Sequence, residues 1–394
     1  MKILIMDWPG FGSETIKRLL PKMGIDTEVF AFPANSADIR NGEALGVKIA
    51  ERILASRADA VFSFNYYPVI ATAAHACRTK YLSWVYDSPA VLLYSMTVFF
   101  PENHIFHFDS GEVRRMRAEG VEHAYYLPLA ANVEDYDRMV PTAEQRKKYR
   151  ADIVMIGSMY REERFRIFRK YEKFDEYTAG YLEGLLSVQE QLYGVDVLTP
   201  SLTEEIMERV LKVVPLSEGH GDSYETAAWT YANYYLAMQV TIREREHVLD
   251  ALSRKYETVL YTPEPTPYLE KVINRGSVDY YKEAPLAMKC ARINLNITLK
   301  SIWSGIPLRA MDIMGCGGFL LSNYQPDLEA EFVPGEDFVY YESLDDAVEK
   351  AAYYLEHEEE RRRIAMNGYE KVKRYHNFRD KLSVILQAVE ADVD

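Results

Sequence analysis

Met1-Lys2-Ile3-Leu4-Ile5-Met6-Asp7 and Ala151-Asp152-Ile153-Val154-Met155-Ile156-Gly157-Ser158 share one pattern: a short apolar run, a turn, then an amphipathic stretch. Such a run suits a strand covered on both faces and is too short for an ordinary helix. Each opens a strand–turn–helix unit, and two restarts in one chain predict two Rossmann-like α/β domains. The length of 394 residues also exceeds one typical domain. Neither restart carries the three-glycine dinucleotide fingerprint, because Gly10 and Gly12 are not followed by a third glycine at the required spacing. That argues against a dehydrogenase.

Strands are expected at Thr27 to Phe32, Ala60 to Phe64, Tyr81 to Tyr86 and His104 to Phe108, with helices between them. In open parallel sheets, ligands gather at the carboxyl ends of strands. This puts Phe11, Asn65 and Tyr66 on the rim of a cleft and Asp87, in Asp87-Ser88-Pro89, at its edge. Asp-Ser-Pro is also an ordinary turn cap. His104 and His107 point to opposite faces of one strand and suit structural roles better than a shared metal.

The first domain is expected over 1–135, a polar linker over 136–150 and the second domain over 151–375. Within the second, about 171–246 reads as a helical insertion rich in tyrosine, leucine and acids, suited to acceptor recognition or to homodimerisation. Strands resume at Thr258 to Thr262 and at Ala291 to Ile297. Residues 376–394 form a last helix that could cross back to the first domain.

Ser304-Gly305-Ile306-Pro307-Leu308-Arg309-Ala310-Met311-Asp312 begins a short helix that closes at Gly317-Gly318 before the buried run Phe319-Leu320-Leu321-Ser322. Ser304-Gly305 leaves the first helical amides open to an anion. Arg309 and Asp312 are neighbours on the helix surface. An exposed ion pair is the ordinary reading of that spacing. The functional one is a guanidinium on a diphosphate and a carboxylate on a ribose.

This string resembles the donor-site helix of the spore-maturation-protein-B-like branch of group 1 glycosyltransferases, Gly-x-Pro-x-Arg-x-x-Glu-x-x-x-x-Gly. Gly305, Pro307, Arg309 and Gly317 match it, and Asp312 replaces the family's Glu. The blocks Phe62 to Pro68, Trp84 to Pro89 and Leu127 to Asn132 resemble a formerly uncharacterised N-terminal domain fused to such transferases, over roughly the first 135 residues. The resemblance implies a GT-B fold, two Rossmann-like domains facing a cleft, and transfer of a sugar from a nucleoside-diphosphate donor without a metal. It implies donor contacts from Gly12, Ser158, Arg161, Arg164, Lys300, Gly305, Arg309, Asp312 and Glu329, with Tyr261, Val278 and Tyr280 beside the base. For Arg161 and Arg164 a solvated helical turn is the alternative, and for Tyr261, Val278 and Tyr280 plain core packing. Asp87 is the candidate general base for a glycan or protein acceptor. One departure is Ser304, where many retaining members carry a second acid.

A net charge of −14 excludes nonspecific attraction to nucleic acid or anionic membrane. No apolar run is long enough to cross a bilayer, and three scattered cysteines, Cys77, Cys290 and Cys316, fit a reducing cytoplasm. A sugar-nucleotide epimerase or hydrolase, and a non-catalytic sugar-nucleotide-binding or assembly protein, are the alternatives to a transferase.

Overall fold

The structure is a computed structural model that describes residues 1–10, 12–161, 173–216 and 223–391. Phe11 and Arg164 lie outside the described residues. The chain divides into two compact units, one of Met1–Asn132, Gly219–Glu225 and His376–Asp394, the other of Val133–Glu218 and Thr226–Tyr375.

The first unit contains β1 (Lys2–Asp7), β2 (Asp26–Ala31), β3 (Ala60–Phe64), β4 (Lys80–Val85), β5 (Asn103–His107) and β6 (Ala124–Tyr126). They form one parallel sheet in the order β2-β1-β3-β4-β5-β6. Alternate residues feed two cores. Leu4, Met6, Val61, Tyr81 and Ile105 pack on one face. Ile3, Ile5, Phe62, Trp84 and Phe106 pack on the other, beneath Leu382, Ile385 and Leu386 of the C-terminal helix Phe378–Ala391. Burial on both faces is why these strands read as unbroken apolar runs.

The second unit holds β7 (Ala151–Ile156), β8 (Thr258–Tyr261), β9 (Ile273–Asn274), β10 (Ala291–Asn296), β11 (Leu320–Asn323) and β12 (Val339–Tyr341). Their order is β12-β11-β10-β7-β8-β9, again parallel. The direction of winding reverses between β7 and β10, the switch point where such sheets open a crevice at the strands' carboxyl ends.

Helices Glu176–Glu190, Glu204–Val213 and Ala237–Ser253 make up much of the insertion, which builds its own apolar core from Leu182, Leu186, Ile206, Val210, Tyr231 and Val240. Residues 136–150, expected as a linker, instead belong to the second unit. Thr142 and Gln145 form a reciprocal capping box that starts the helix Ala143–Tyr149, and the Tyr149 hydroxyl donates to Glu283 Oε1 at 2.7 Å. The stretch is polar because its outer face is solvated, not because it is unstructured.

Gly12 adopts a left-handed φ of +78° at the start of helix Ser13–Lys22, and a Cβ there would stand 2.8 Å from the rings of Phe64 and Phe378. Gly24 has a similar φ of +83° with open space around it. Gly24→Ala should therefore cost about 1 kcal/mol from backbone strain alone, and Gly12→Ala about 1–3 kcal/mol more from overpacking, read from urea unfolding. Equal costs would contradict the packing of Phe378 against this turn.

Candidate functional site

Three strand ends of the second unit meet around the switch point. After β7, the turn Gly157–Arg161 is closed by the buried Glu264 from the loop after β8. Glu264 Oε1 accepts from Ser158 Oγ and from the Met159 N–H, both at 2.8 Å, and Oε2 from the Arg161 N–H at 2.7 Å. Arg245, on the insertion's last helix, bonds the carbonyl oxygen of Ser158 and, at 2.8 Å, that of Ile297. One buried guanidinium thus ties the ends of β7 and β10 together.

After β10, the chain runs through Trp303 to Pro307 into the helix Leu308–Gly315. Trp303 Nε1 donates to Asn233 Oδ1 at 2.9 Å, and Asn233 stands on the π-helical turn Tyr231–Leu236. The insertion therefore holds the loop that leads into the helix. Pro307 occupies the cap position, not the first turn, and no side chain caps the helix start. The Ala310 N–H donates to the Pro307 carbonyl at 3.0 Å, which leaves the amides of Leu308 and Arg309 as the open ones.

Asp312 is 2% exposed. Tyr136 Oη donates to its Oδ1 at 2.7 Å, and Tyr280 Oη to its Oδ2 at 2.8 Å. The two hydroxyls read from the sequence as those of a ribose are supplied by the protein itself. Burial pushes the Asp312 carboxyl up, while Arg309 and the two tyrosines favour its charged form. Arg309 Nη1 lies 3.7 Å from Asp312 Oδ2, is buried, and makes no hydrogen bond. Its guanidinium sits 5.7 Å from the centre of the Tyr280 ring.

The other expected donor contacts separate into engaged, buried and exposed groups. Arg161 forms a paired bond with Glu246, one arm at 2.8 Å, and its guanidinium lies 4.6 Å from the centre of the Tyr268 ring. Lys300 is buried in a polar cluster, 3.4 Å from Glu244 Oε2 and 3.2 Å from the Leu192 carbonyl, because the insertion folds over it. It is a structural cation, not a second phosphate contact. Tyr261 is core, which leaves its ring unavailable to a base, and Val278 is half-buried against the same cluster. Gly305 is buried in the loop before the helix. Glu329 is exposed and accepts from Tyr324 Oη at 3.0 Å. Gly12, in the first unit, is a packing glycine.

Sequence reasoning missed Tyr136, Glu264 and Arg245. Glu264 sits between prolines in Pro263-Glu264-Pro265, a signal for a fixed loop. Tyr136 and Arg245 carried none, since only the fold reveals their partners. Thr262 Oγ1 and Gln325 Oε1, at the ends of β8 and β11, are buried without hydrogen-bond partners. The loops after β8 and β9 border an open concavity of about 520 Å³, lined by Thr262, Glu264, Thr266 and Asn274 among others.

In the first unit, Asn65 and Asp87 do meet at one sheet edge. Asn65 takes a left-handed φ of 58°. Its Oδ1 accepts from the backbone N–H of Tyr86 and Asp87 at 2.8 and 3.1 Å, and its Nδ2 donates to Asp87 Oδ2 at 2.7 Å. Asp87 reaches solvent, yet the protein around it withdraws enough water to push its carboxyl up, against the pull of Asn65. Tyr66, expected on the rim, is 2% exposed and bonds Thr97 Oγ1 at 2.8 Å. It belongs to the core because its ring fills the space beside Tyr81. Among the described residues no group of three or more His, Cys, Asp or Glu is placed to hold a metal ion.

Replacing Tyr136 or Tyr280 with Phe leaves one buried carboxylate oxygen unpaired. Each should cost about 1–3 kcal/mol in urea unfolding. The lost bonds stabilise the ionised form, so the cost should grow as pH rises through the Asp312 pKa and shrink below it. A cost independent of pH would contradict the ionised pairing.

Residues 243–387 match the family model described as glycosyl transferase-like, a segment that includes Arg309, Asp312 and Glu329. No curated protein matches the chain. Sucrose-phosphate synthase from Thermosynechococcus elongatus is similar in structure with a TM-score of 0.56, at 10% identity, over 100% of this chain and 98% of that one. HepE of Anabaena, solved in complex with UDP and glucose, gives 0.54 at 11% identity over 99% of both chains. A glycosyltransferase from Rickettsia africae gives 0.54 at 10% identity over 99% and 98%. With its two six-stranded parallel α/β units, the chain has a two-domain GT-B fold.

Proposed function

We propose that the protein is a glycosyltransferase that moves a sugar from a nucleoside-diphosphate donor to an acceptor hydroxyl on a glycan or protein, without a bound metal. The observation that carries this reading is the uncapped start of helix Leu308–Gly315 beside a buried Arg309 nitrogen that lacks a hydrogen bond. Helix amides and a guanidinium are the groups that stabilise charge on a leaving diphosphate. They stand in the glycosyl transferase-like segment, after the strand that flanks the switch point. The spacing of Gly305, Pro307, Arg309 and Gly317 supports the spore-maturation-protein-B-like branch. Among the described residues no helix is long and apolar enough to cross a membrane. The cytoplasm is the compartment we assign, supported by cysteines that are all unpaired.

Asp312 is a positioning residue in this reading: it fixes Tyr280 and orients Arg309. UDP is the first nucleotide to test, since HepE was solved with it. UDP should raise the melting temperature equally with and without EDTA, and Arg309→Ala should abolish the shift. A shift that requires magnesium would contradict the metal-free mechanism, and no shift with UDP, GDP, TDP or CMP would contradict the site.

Asp87 is the candidate base, and its raised pKa brings it closer to the working pH of a proton acceptor. Asp87→Asn should lower kcat by about 100-fold or more while leaving the UDP shift intact. Asn65→Gly keeps the left-handed backbone but removes the bond that favours ionised Asp87. It should move the acid limb of the pH–rate profile to higher pH. Full turnover by Asp87→Asn would remove the assignment. Cleavage of the donor without an acceptor would favour a hydrolase or epimerase, and binding without cleavage a non-catalytic protein.

A further inference from the structure

The amino-terminal edge of the second unit's sheet, opposite the carboxyl ends just described, carries a second cavity of about 530 Å³. Six cations line it: Arg146, Arg150, Lys289, Arg292, Arg361 and Arg362. Glu358 is the one acid among its lining residues. Gly317 and Gly318 lie in its wall just before β11, and a Cβ on Gly317 would meet open space. The helix Glu358–Tyr375 begins at the cavity and adds the positive end of its dipole.

Among the described residues the positive charge here is only partly balanced. Arg292 pairs with Asp152 at 2.9 Å, and Arg362 pairs with Glu358. Arg361 is 5% exposed, and its Nη1 donates at 2.8 Å to the neutral Tyr354 carbonyl. Burial and the nearby Arg292 both push its pKa down. Among the described residues, the side-chain ends of Arg146, Arg150 and Lys289 have no hydrogen-bond or ion-pair partner. A chain of net charge −14 has therefore gathered unmatched cations around one concavity, at the cost of mutual repulsion.

We propose that this cavity binds a compact, multiply charged phosphate anion at a site separate from Arg309. Guanidinium forks match phosphate oxygens two at a time, and several converging on one cavity favour a diphosphate or bisphosphate over a singly charged ion. The enclosed volume falls in the range of small-molecule sites, roughly 300–1,000 Å³. The phosphate could be free in solution or the headgroup of a phospholipid. The proposal does not rest on the glycosyltransferase reading.

Calorimetry with inorganic pyrophosphate on the full chain tests it. Pyrophosphate also resembles the diphosphate proposed to sit at Arg309, so the assay uses Arg309→Ala, which should still bind it and thereby separates this site from the proposed donor site. Adding the double variant Arg146→Ala/Lys289→Ala to that background should weaken binding by about tenfold or more. Both side-chain ends lack a hydrogen-bond or ion-pair partner and removing them relieves repulsion, so the melting temperature without ligand should not fall. Vesicles of phosphatidylcholine with phosphatidic acid distinguish the two sources. Capture that is lost in the double variant assigns a headgroup, and pyrophosphate binding without capture assigns a soluble phosphate. The proposal is overturned if neither probe binds Arg309→Ala, or if adding Arg146→Ala/Lys289→Ala leaves that binding unchanged.

Discussion

The buried Asp312 carboxylate holds together the part of the second unit that carries the proposed donor site. An ionised carboxylate at 2% exposure is costly unless every oxygen is matched. Here Tyr136 and Tyr280 supply the hydrogen bonds, and Arg309 supplies opposite charge 3.7 Å away. The three partners come from the first helix of the unit, from the loop after β9 and from the same helical face. One buried charge therefore fixes the relative placement of three segments distant in sequence, and leaves a guanidinium nitrogen of Arg309 with bonding capacity to spare. The arrangement is stiff before any ligand arrives, which is what electrostatic stabilisation of a leaving group requires.

Other polar groups around the switch point are treated in the same way. Glu264 closes the turn after β7, Arg245 joins two strand ends, and Lys300 is matched with Glu244. The helical insertion provides Arg245, Glu244 and Asn233, so it supports the proposed donor side of the second unit as well as forming its own core. Its contribution is structural at every contact named here, which explains why Glu244 and Arg245 are buried.

Much of this architecture was legible in the sequence for physical reasons. Buried parallel strands leave continuous apolar runs, and two restarts of that pattern gave two sheets. Gly and Pro around 305–318 marked a helix whose start is open, and Asn65 and Asp87 were placed on one edge because both follow strands of one sheet. What failed was the judgement of exposure. Lys300, Tyr261 and Tyr66 have chemistry that suits a ligand, yet long-range packing buries them. The Asp312–Tyr136 bond joins residues far apart in the chain, and no local pattern announces it. Residues 136–150 misled through composition, although the Thr142 and Gln145 spacing was a helix signal.

Hydrogen–deuterium exchange of the full chain with and without UDP tests the central claim most directly. The account predicts slowed exchange of backbone amides at 304–312, where the helix start would receive the diphosphate, with a smaller effect at the turn 157–161. Protection that leaves 304–312 unchanged while UDP is bound would contradict it, and would place the nucleotide somewhere other than at Arg309.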